Sequence, residues 1–290
     1  MGLRMKFNIV LLAVFLMGFA VTGWISHELL QRNARDEVVR NAELMMETAL
    51  AIRGYTVGQV APHLQLQLLR VFLPQSVPAY AATETINELR KKYPEYAYKE
   101  ATLNPTNPRD RTTDWEADLV HTFRNNTDKK ELVGERDTPT GRALYIARPM
   151  QIKAEACLVC HSVPGAAPVS MIKLYGEANG FGWKINEIIG AQIISVPMSL
   201  PIKNADRAFT AFMASLFAVF AVVFIVLNLM LSWMIVRPIR KMSQVADQVS
   251  TGNFDMEEFS ERGKDEISVV GSSFNRMRRS LQKAMQMIES

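Results

Sequence analysis

Cys157, Cys160 and His161 stand together in the segment EACLVCHSVPG, and they include both of the chain's cysteines and one of its four histidines. Two thiols three positions apart can each form a thioether to one vinyl group of a porphyrin. The histidine that follows is then held beneath the ring with its imidazole on the iron. C-x-x-C-H is the attachment signature of c-type haem. The rival chemistries explain less. A thioredoxin-like redox pair belongs to a cytosolic βαβ setting. A structural zinc site normally takes four ligands, and this cluster offers three. A disulfide between the two would close a small strained ring and leave His161 without a role. The motif therefore predicts one haem c per chain, with Cys157 and Cys160 as the thioether residues and His161 as the proximal iron ligand.

Such a site must be carried by elements in the right compartment. Two stretches, 7–26 and 208–236, have no charge, and each reaches the roughly 20 apolar residues that cross a bilayer. A cleaved signal peptide would share the basic start MGLRMK, but no A-x-A-like site follows the first stretch, so it reads as an uncleaved anchor. Arg4 and Lys6 precede the first span, and Arg237, Arg240 and Lys241 follow the second. By the positive-inside rule both ends are cytoplasmic. The expected arrangement is a two-pass inner-membrane protein. Its short tail, 1–6, and its segment 237–290 are cytoplasmic, and the domain 27–207 is periplasmic. The net charge of +4 is not gathered into a tract, which excludes a nucleic-acid footprint.

Within the outer domain, Val38, Ala42, Met45, Ala49 and Ile52 step by three and four along a helix that Pro62 is expected to end. The stripe serves equally as a dimer seam or as a face packed on its own domain. The segment AATETINELRKKY reads as a helix, LNPTNPRDR as turns, and ALYIARPM, PVSMIKLY and AQIISVPM as short strands. The iron's sixth position has no motif. Methionine or a second histidine are ordinary choices, and His63, His121, Met150 and Met171 are the candidates. His63 is the expected distal ligand, because just past Pro62 it would couple the iron to the helix that enters the membrane. Arg109, Arg111 and Arg148 could pair with haem propionates, although solvated surface charge is their default reading.

After the second span, Pro238, Met242, Val245 and Val249 form a stripe that Gly252 stops. A connector, NFDMEEFSERGK, leads to a helix opened by Asp265 and Glu266. There Ile267, Val270, Phe274, Met277, Leu281, Ala284 and Ile288 keep steps of three and four. No partner within the chain is large enough to cover this seam, so a parallel homodimer forming a four-helix bundle is expected.

Arg237-Pro238 after a span, the Gly252 stop and Asp265-Glu266-Ile267 opening a helix resemble a HAMP domain, the signal-converting module of sensor kinases and chemoreceptors. YKEATLNPTNPRDR, CLVCHSVPGAAP, LYGEANGFGW and GAQIISVP, in that order, are similar to the haem c sensor domain with a PAS-like fold that HAMP proteins often carry. The resemblance implies attachment at Cys157 and Cys160 and His161 as proximal ligand. It implies an α+β fold: a PAS-like periplasmic sensor domain between two transmembrane helices, followed by an all-α HAMP coiled-coil segment. The expected function is not enzymatic. It is a membrane-bound haem c sensor that reads redox state or a small diatomic ligand and signals through HAMP. No kinase, cyclase or methyl-accepting output precedes Ser290, so a histidine kinase or similar partner is expected in trans. The alternative is a membrane-anchored c-type cytochrome for electron transfer.

The covalent assignment makes a direct prediction. The pigment should stay with the polypeptide through acid–acetone extraction and denaturing electrophoresis, and Cys157→Ser with Cys160→Ser should abolish holoprotein. Extraction of the pigment would contradict it.

Overall fold

The computed structural model describes residues 2–68, 70–259, 263 and 265–289. Ser260, Glu261, Arg262 and Lys264 of the expected connector lie outside the described residues, as do Met1, Ser290 and the side chain of Ile288 at the end of the expected seam. Two compact units divide the chain, Glu28–Ala208 and Met1–His27 with Phe209–Ser290.

The unit Glu28–Ala208 is built on an antiparallel sheet of β1 (Ala97–Thr102), β2 (Leu132–Thr138), β3 (Gly141–Gln151) and β4 (Ile188–Pro197), in the order β1-β4-β3-β2. Side chains alternate across its faces. One face carries Tyr98, Leu144, Ile146, Ile194 and Val196, which pack with Val38, Ala42, Met46 and Ala49 of helix α1 (Leu3–Tyr55) and with Ala82 and Ile86 of α3 (Pro78–Arg90). The other carries Ala101, Ala147, Ala191 and Ile193 beneath Leu119, Val120 and Phe123 of α4 (Asp114–Asn125). The heptad stripe is thus covered by its own sheet. Met46, fully buried, takes the position expected for Met45, which with Ile52 packs at the edge of the same cluster.

The helical path does not end at Pro62. A π-helical turn, Thr56–Val60, follows α1 and leads into α2 (Ala61–Leu68), which contains Pro62. A proline ring clashes with the carbonyl four residues back; here that is Gly58, inside the widened turn. The solution recurs at Leu231–Val236, a π turn between α7 (Ser199–Met230) and α8 (Arg237–Ser250). There Pro238 faces the carbonyl of Met234. A second expectation fails as well: PVSMIKLY is not a strand. Val169–Tyr175 is helix α6, entered from Pro168 and closed by Gly176 at φ 77°.

Polar contacts also fasten α1 to the sheet. Arg148 of β3 reaches Glu47 at 2.6 Å and Glu131 at 2.8 Å. Arg53 donates to Glu100, which also accepts from the Tyr98 hydroxyl at 2.7 Å. Gln192 donates to that hydroxyl at 3.3 Å. Glu100 is 4% exposed. Burial lowers the Arg53 affinity for its proton, but the charge of Glu100, the neighbouring Tyr98 and the hydrogen bonds to both together outweigh it and hold the guanidinium above its ordinary value. Burial, and then Glu100 beside it, pushes the Tyr98 hydroxyl well up.

In the unit Met1–His27 with Phe209–Ser290, both apolar stretches are helical and long enough to cross a membrane. Phe15 stacks on Phe220 with centroids 4.8 Å apart. Gly252, at φ 88°, ends α8, and Asp265 caps α9 (Glu266–Glu289) by accepting from the Ser268 amide at 2.8 Å. One side of α9 is buried by polar contacts to the connector. Asn275 accepts from the Phe259 amide at 3.1 Å and donates to its carbonyl at 2.8 Å, and Arg278 reaches the Met256 carbonyl and Glu258. Much of the seam side stays open, with Val270, Met277 and Leu281 exposed, while Ile267 is half-buried and Phe274, also half-buried, meets the Phe259 ring edge-on at 5.7 Å.

Arg53→Ala strands Glu100 in the interior without its cation. Such a change should destabilise the protein by about 3–5 kcal/mol, whereas Arg53→Met with Glu100→Leu should recover most of the loss. Denaturant unfolding of the purified variants measures both; equal losses would show that the pair is not what the buried carboxylate depends on.

Candidate haem site

The segment between β3 and β4 has no strand of its own. A 3₁₀ turn, Glu155–Cys157, runs into the short helix α5 (Leu158–His161). One turn of helix carries residues three apart onto nearly the same side, so Cys157 and Cys160 are presented together. Both thiols are free and half-buried. Burial, and then the neighbouring Cys157, pushes the Cys160 thiol up, which keeps it protonated rather than a ready metal thiolate.

His161 is held by the loop after α6. Its Nδ1 lies 2.8 Å from the Gly180 carbonyl oxygen. A carbonyl only accepts, so Nδ1 carries the proton and Nε2 carries the lone pair. The ring stacks on Trp183, centroids 3.9 Å apart. The Trp183 amide donates to the His161 carbonyl at 3.2 Å and the Gly182 amide to the Ser162 carbonyl at 2.8 Å. Burial lowers the imidazole's proton affinity, and the bond to Gly180 opposes this only in part, so the ring stays neutral. A neutral imidazole with a fixed Nδ1–H and a free Nε2 is the form that ligates a metal.

A second loop clamps the first. Asn104 accepts from the Gly180 amide at 3.1 Å and donates to the Phe181 carbonyl at 3.1 Å. Arg111 donates to the Asn179 side chain at 3.0 Å. Gly180 has φ +86°, and a Cβ there would fall 2.1 Å from the Thr106 hydroxyl. Thr106 itself approaches His161 Nδ1 at 3.4 Å. Three segments far apart in sequence, 103–111, 155–165 and 176–183, therefore converge on one ring.

The surroundings suit an apolar macrocycle. Val159, Val163, Val169 and Leu174, close in sequence to the motif, are all more than half exposed, and a porphyrin over this segment would bury such side chains. Among the described residues no three His, Cys, Asp or Glu side chains converge as a metal cluster would, so the donors are not arranged for zinc. The residues present fit a covalently tethered haem.

The candidate distal ligands are scattered. His63 is exposed on α2, and His121 is exposed on α4, across the sheet from α1. Met150 is half-buried on β3 with its methyl group against Gly190. Met171 is buried in α6. The arginines are committed elsewhere: Arg148 to Glu47 and Glu131, Arg109 to Glu84 and the Tyr80 ring, Arg111 to Asn179. Sequence reasoning missed Asn104, Thr106, Gly180 and Trp183 as parts of one site, although two of the quoted family segments contain them.

Residues 31–197, more than half of the chain, match the Tll0287-like family, and residues 230–283 match the HAMP domain. The chain belongs to the Tll0287-like family and carries a HAMP domain. Among solved structures it is similar to that of the cyanobacterial heme-protein Tll0287, at 15% identity, with 56% of this chain and 95% of that one covered and a TM-score of 0.43. Comparison with the curated proteins finds no match.

Asp110 ends the clamping loop's 3₁₀ turn, and burial, against the partial relief of Arg109, pushes its carboxyl up to about 6. A raised carboxyl binds its proton more tightly in the folded state. The stability this contributes is full below the ordinary value of 3.8 and is lost as pH rises through about 6. Asp110→Asn should flatten the pH dependence of the thermal midpoint across that window and stabilise the protein above it. An unchanged pH profile would contradict the assignment.

Proposed function

We propose that this Tll0287-like protein is a membrane-bound haem c sensor. It reads redox state or a small diatomic ligand in the periplasm and signals through its HAMP domain to a cytoplasmic partner such as a histidine kinase. The observation that carries the reading is the His161 imidazole, with Nδ1–H committed to the Gly180 carbonyl and Nε2 free, beside two free thiols at thioether spacing. Cys157 and Cys160 hold the porphyrin and His161 Nε2 holds its iron. The haem supplies a metal whose charge and ligation respond to the surroundings. His63, exposed on α2, is the proposed sixth ligand.

The chain's own residues give that site a route outward. His161 is hydrogen-bonded to Gly180, Gly180 to Asn104, and Asn104 stands two residues beyond β1. β1 carries Glu100, whose cation is Arg53 of α1. A movement of the imidazole therefore displaces, through β1, a helix whose N-terminal part is the first apolar stretch. A coupling of about 1–3 kcal/mol suffices to bias a two-state module. The open seam of α9 is the surface on which a parallel homodimer of the HAMP segment would form. An electron carrier needs neither the buried Arg53–Glu100 tie nor this seam.

Single cysteines at Phe274 or Leu281, in membranes holding the full-length protein, should crosslink readily between copies, and the rates should differ between oxidised and reduced haem. A charge at Phe274 should break the dimer or freeze it, while Gln282→Glu should have little effect. Crosslinking that is identical in the oxidised, reduced and ligand-bound protein would favour the electron carrier.

A further inference from the structure

We infer that Asn104 is a positioning residue for the iron-binding imidazole: its carboxamide fixes the peptide whose carbonyl orients His161, and so sets how strongly that imidazole donates to the iron. The inference rests on the proposed ligation by His161.

The Gly180 carbonyl belongs to the peptide that joins Gly180 to Phe181. Asn104 grips the chain on both sides of that peptide. Its Oδ1 accepts from the Gly180 amide and its Nδ2 donates to the Phe181 carbonyl, each at 3.1 Å. The peptide between them can then turn very little. A carboxamide alone among neutral side chains offers an acceptor and a pair of donors in one plane. Gly180 has no side chain with which to hold itself, and its left-handed φ of +86° against Thr106 excludes one. The residues that follow it are pinned to the segment they serve, Gly182 to Ser162 and Trp183 to His161. Asn104 comes from outside that segment, 76 residues away in sequence. It is thus the link by which the loop after β1 holds the peptide that orients the imidazole, beside the looser approach of the Thr106 hydroxyl to Nδ1 at 3.4 Å.

The consequence for the iron has a sign. A hydrogen bond from Nδ1–H to a well-placed acceptor raises the basicity of the ligating nitrogen. A more basic ligand favours the ferric state. Asn104→Ala lets the Gly180 carbonyl turn away, weakens the donor and favours the ferrous state. The haem is tethered by thioethers, so the change appears as a shift of redox equilibrium and not as haem loss.

The test is spectroelectrochemical titration of full-length holoprotein in detergent, paired with ferric electron paramagnetic resonance. In Asn104→Ala the ratio of reduced to oxidised haem at a fixed poise should rise, by an amount on the order of the tenfold that losing an outer partner costs in metal affinity, and the ferric g-values should move. Asn179→Ala, which releases Arg111 from the same loop but leaves Gly180 gripped, should leave both at wild-type values. A fall in thermal midpoint with unchanged potential and g-values would make Asn104 merely structural and overturn the inference, as would an equal shift in Asn179→Ala. Asn104→Ser, a milder change, should move both readouts the same way if the alanine variant does not accumulate. A further readout needs no variant: the Gly180 amide should be protected from hydrogen exchange in the wild-type holoprotein, and rapid exchange overturns the inference. Wild-type protein without covalent haem, or with haem not ligated by His161, would remove the underlying reading as well. Haem present and ligated with a silent Asn104 variant removes the inference alone.

Discussion

The bond from His161 Nδ1 to the Gly180 carbonyl decides what the site can do. At 2.8 Å from an acceptor-only atom, Nδ1 must keep its proton, and the lone pair is left on Nε2. Burial then keeps the ring neutral. Without that bond the imidazole is free to rotate and to exchange tautomers, and the adjacent thiols would tether a macrocycle with no defined ligand beneath it. Much of the Glu28–Ala208 unit can be understood as support for one carbonyl oxygen. The glycine-rich loop presents it, Asn104 fixes its peptide, and the sheet fixes Asn104.

The sheet makes this support more than local. Its α1-facing side has an apolar row, Tyr98, Ile194 and Ile146, next to a polar row, Glu100, Gln192 and Arg148, paired strand to strand. The apolar row glues α1 to the sheet without direction. The polar row does so with direction, since Arg53 and Glu47 must meet particular partners. A buried ion pair adds little net stability against an apolar substitute, because desolvation offsets most of its attraction. Its presence here suits a helix whose register on the sheet matters. The π turn beyond Arg53 admits Pro62 without ending the helix, so the helical path continues to Leu68.

Some of this could be read from the sequence, and the failures have physical causes. The haem motif is local chemistry and needs no fold. The apolar stretches, α3, β3, β4 and the seam of α9 follow simple periods, and all were legible. β1, AYKEAT, was not, because its inward position 100 is a glutamate where the strand pattern calls for an apolar residue. Only Arg53, 47 residues earlier, explains it. PVSMIKLY is short and apolar, the case in which periodicity cannot separate helix from strand; the flanking Pro168 and Gly176 were the better guide. Pro62 misled because a proline ends a regular α-helix, and nothing in TVGQV announces a π turn. The role of Asn104 could not be read at all, since it rests on two loops that only folding brings together.

The central claim is that His161 holds the iron through Nε2 in every state of the protein, whichever residue takes the sixth position. It is tested most directly by electron–nuclear double resonance on ferric holoprotein grown with ¹⁵N-histidine. His27, His63 and His121 are the only other histidines in the chain. In a variant lacking all three, a strongly coupled ¹⁵N should persist, together with a slowly exchanging proton assignable to Nδ1–H. If the nitrogen coupling vanishes with the other three histidines, the iron is not held by His161 and this account of the site is wrong.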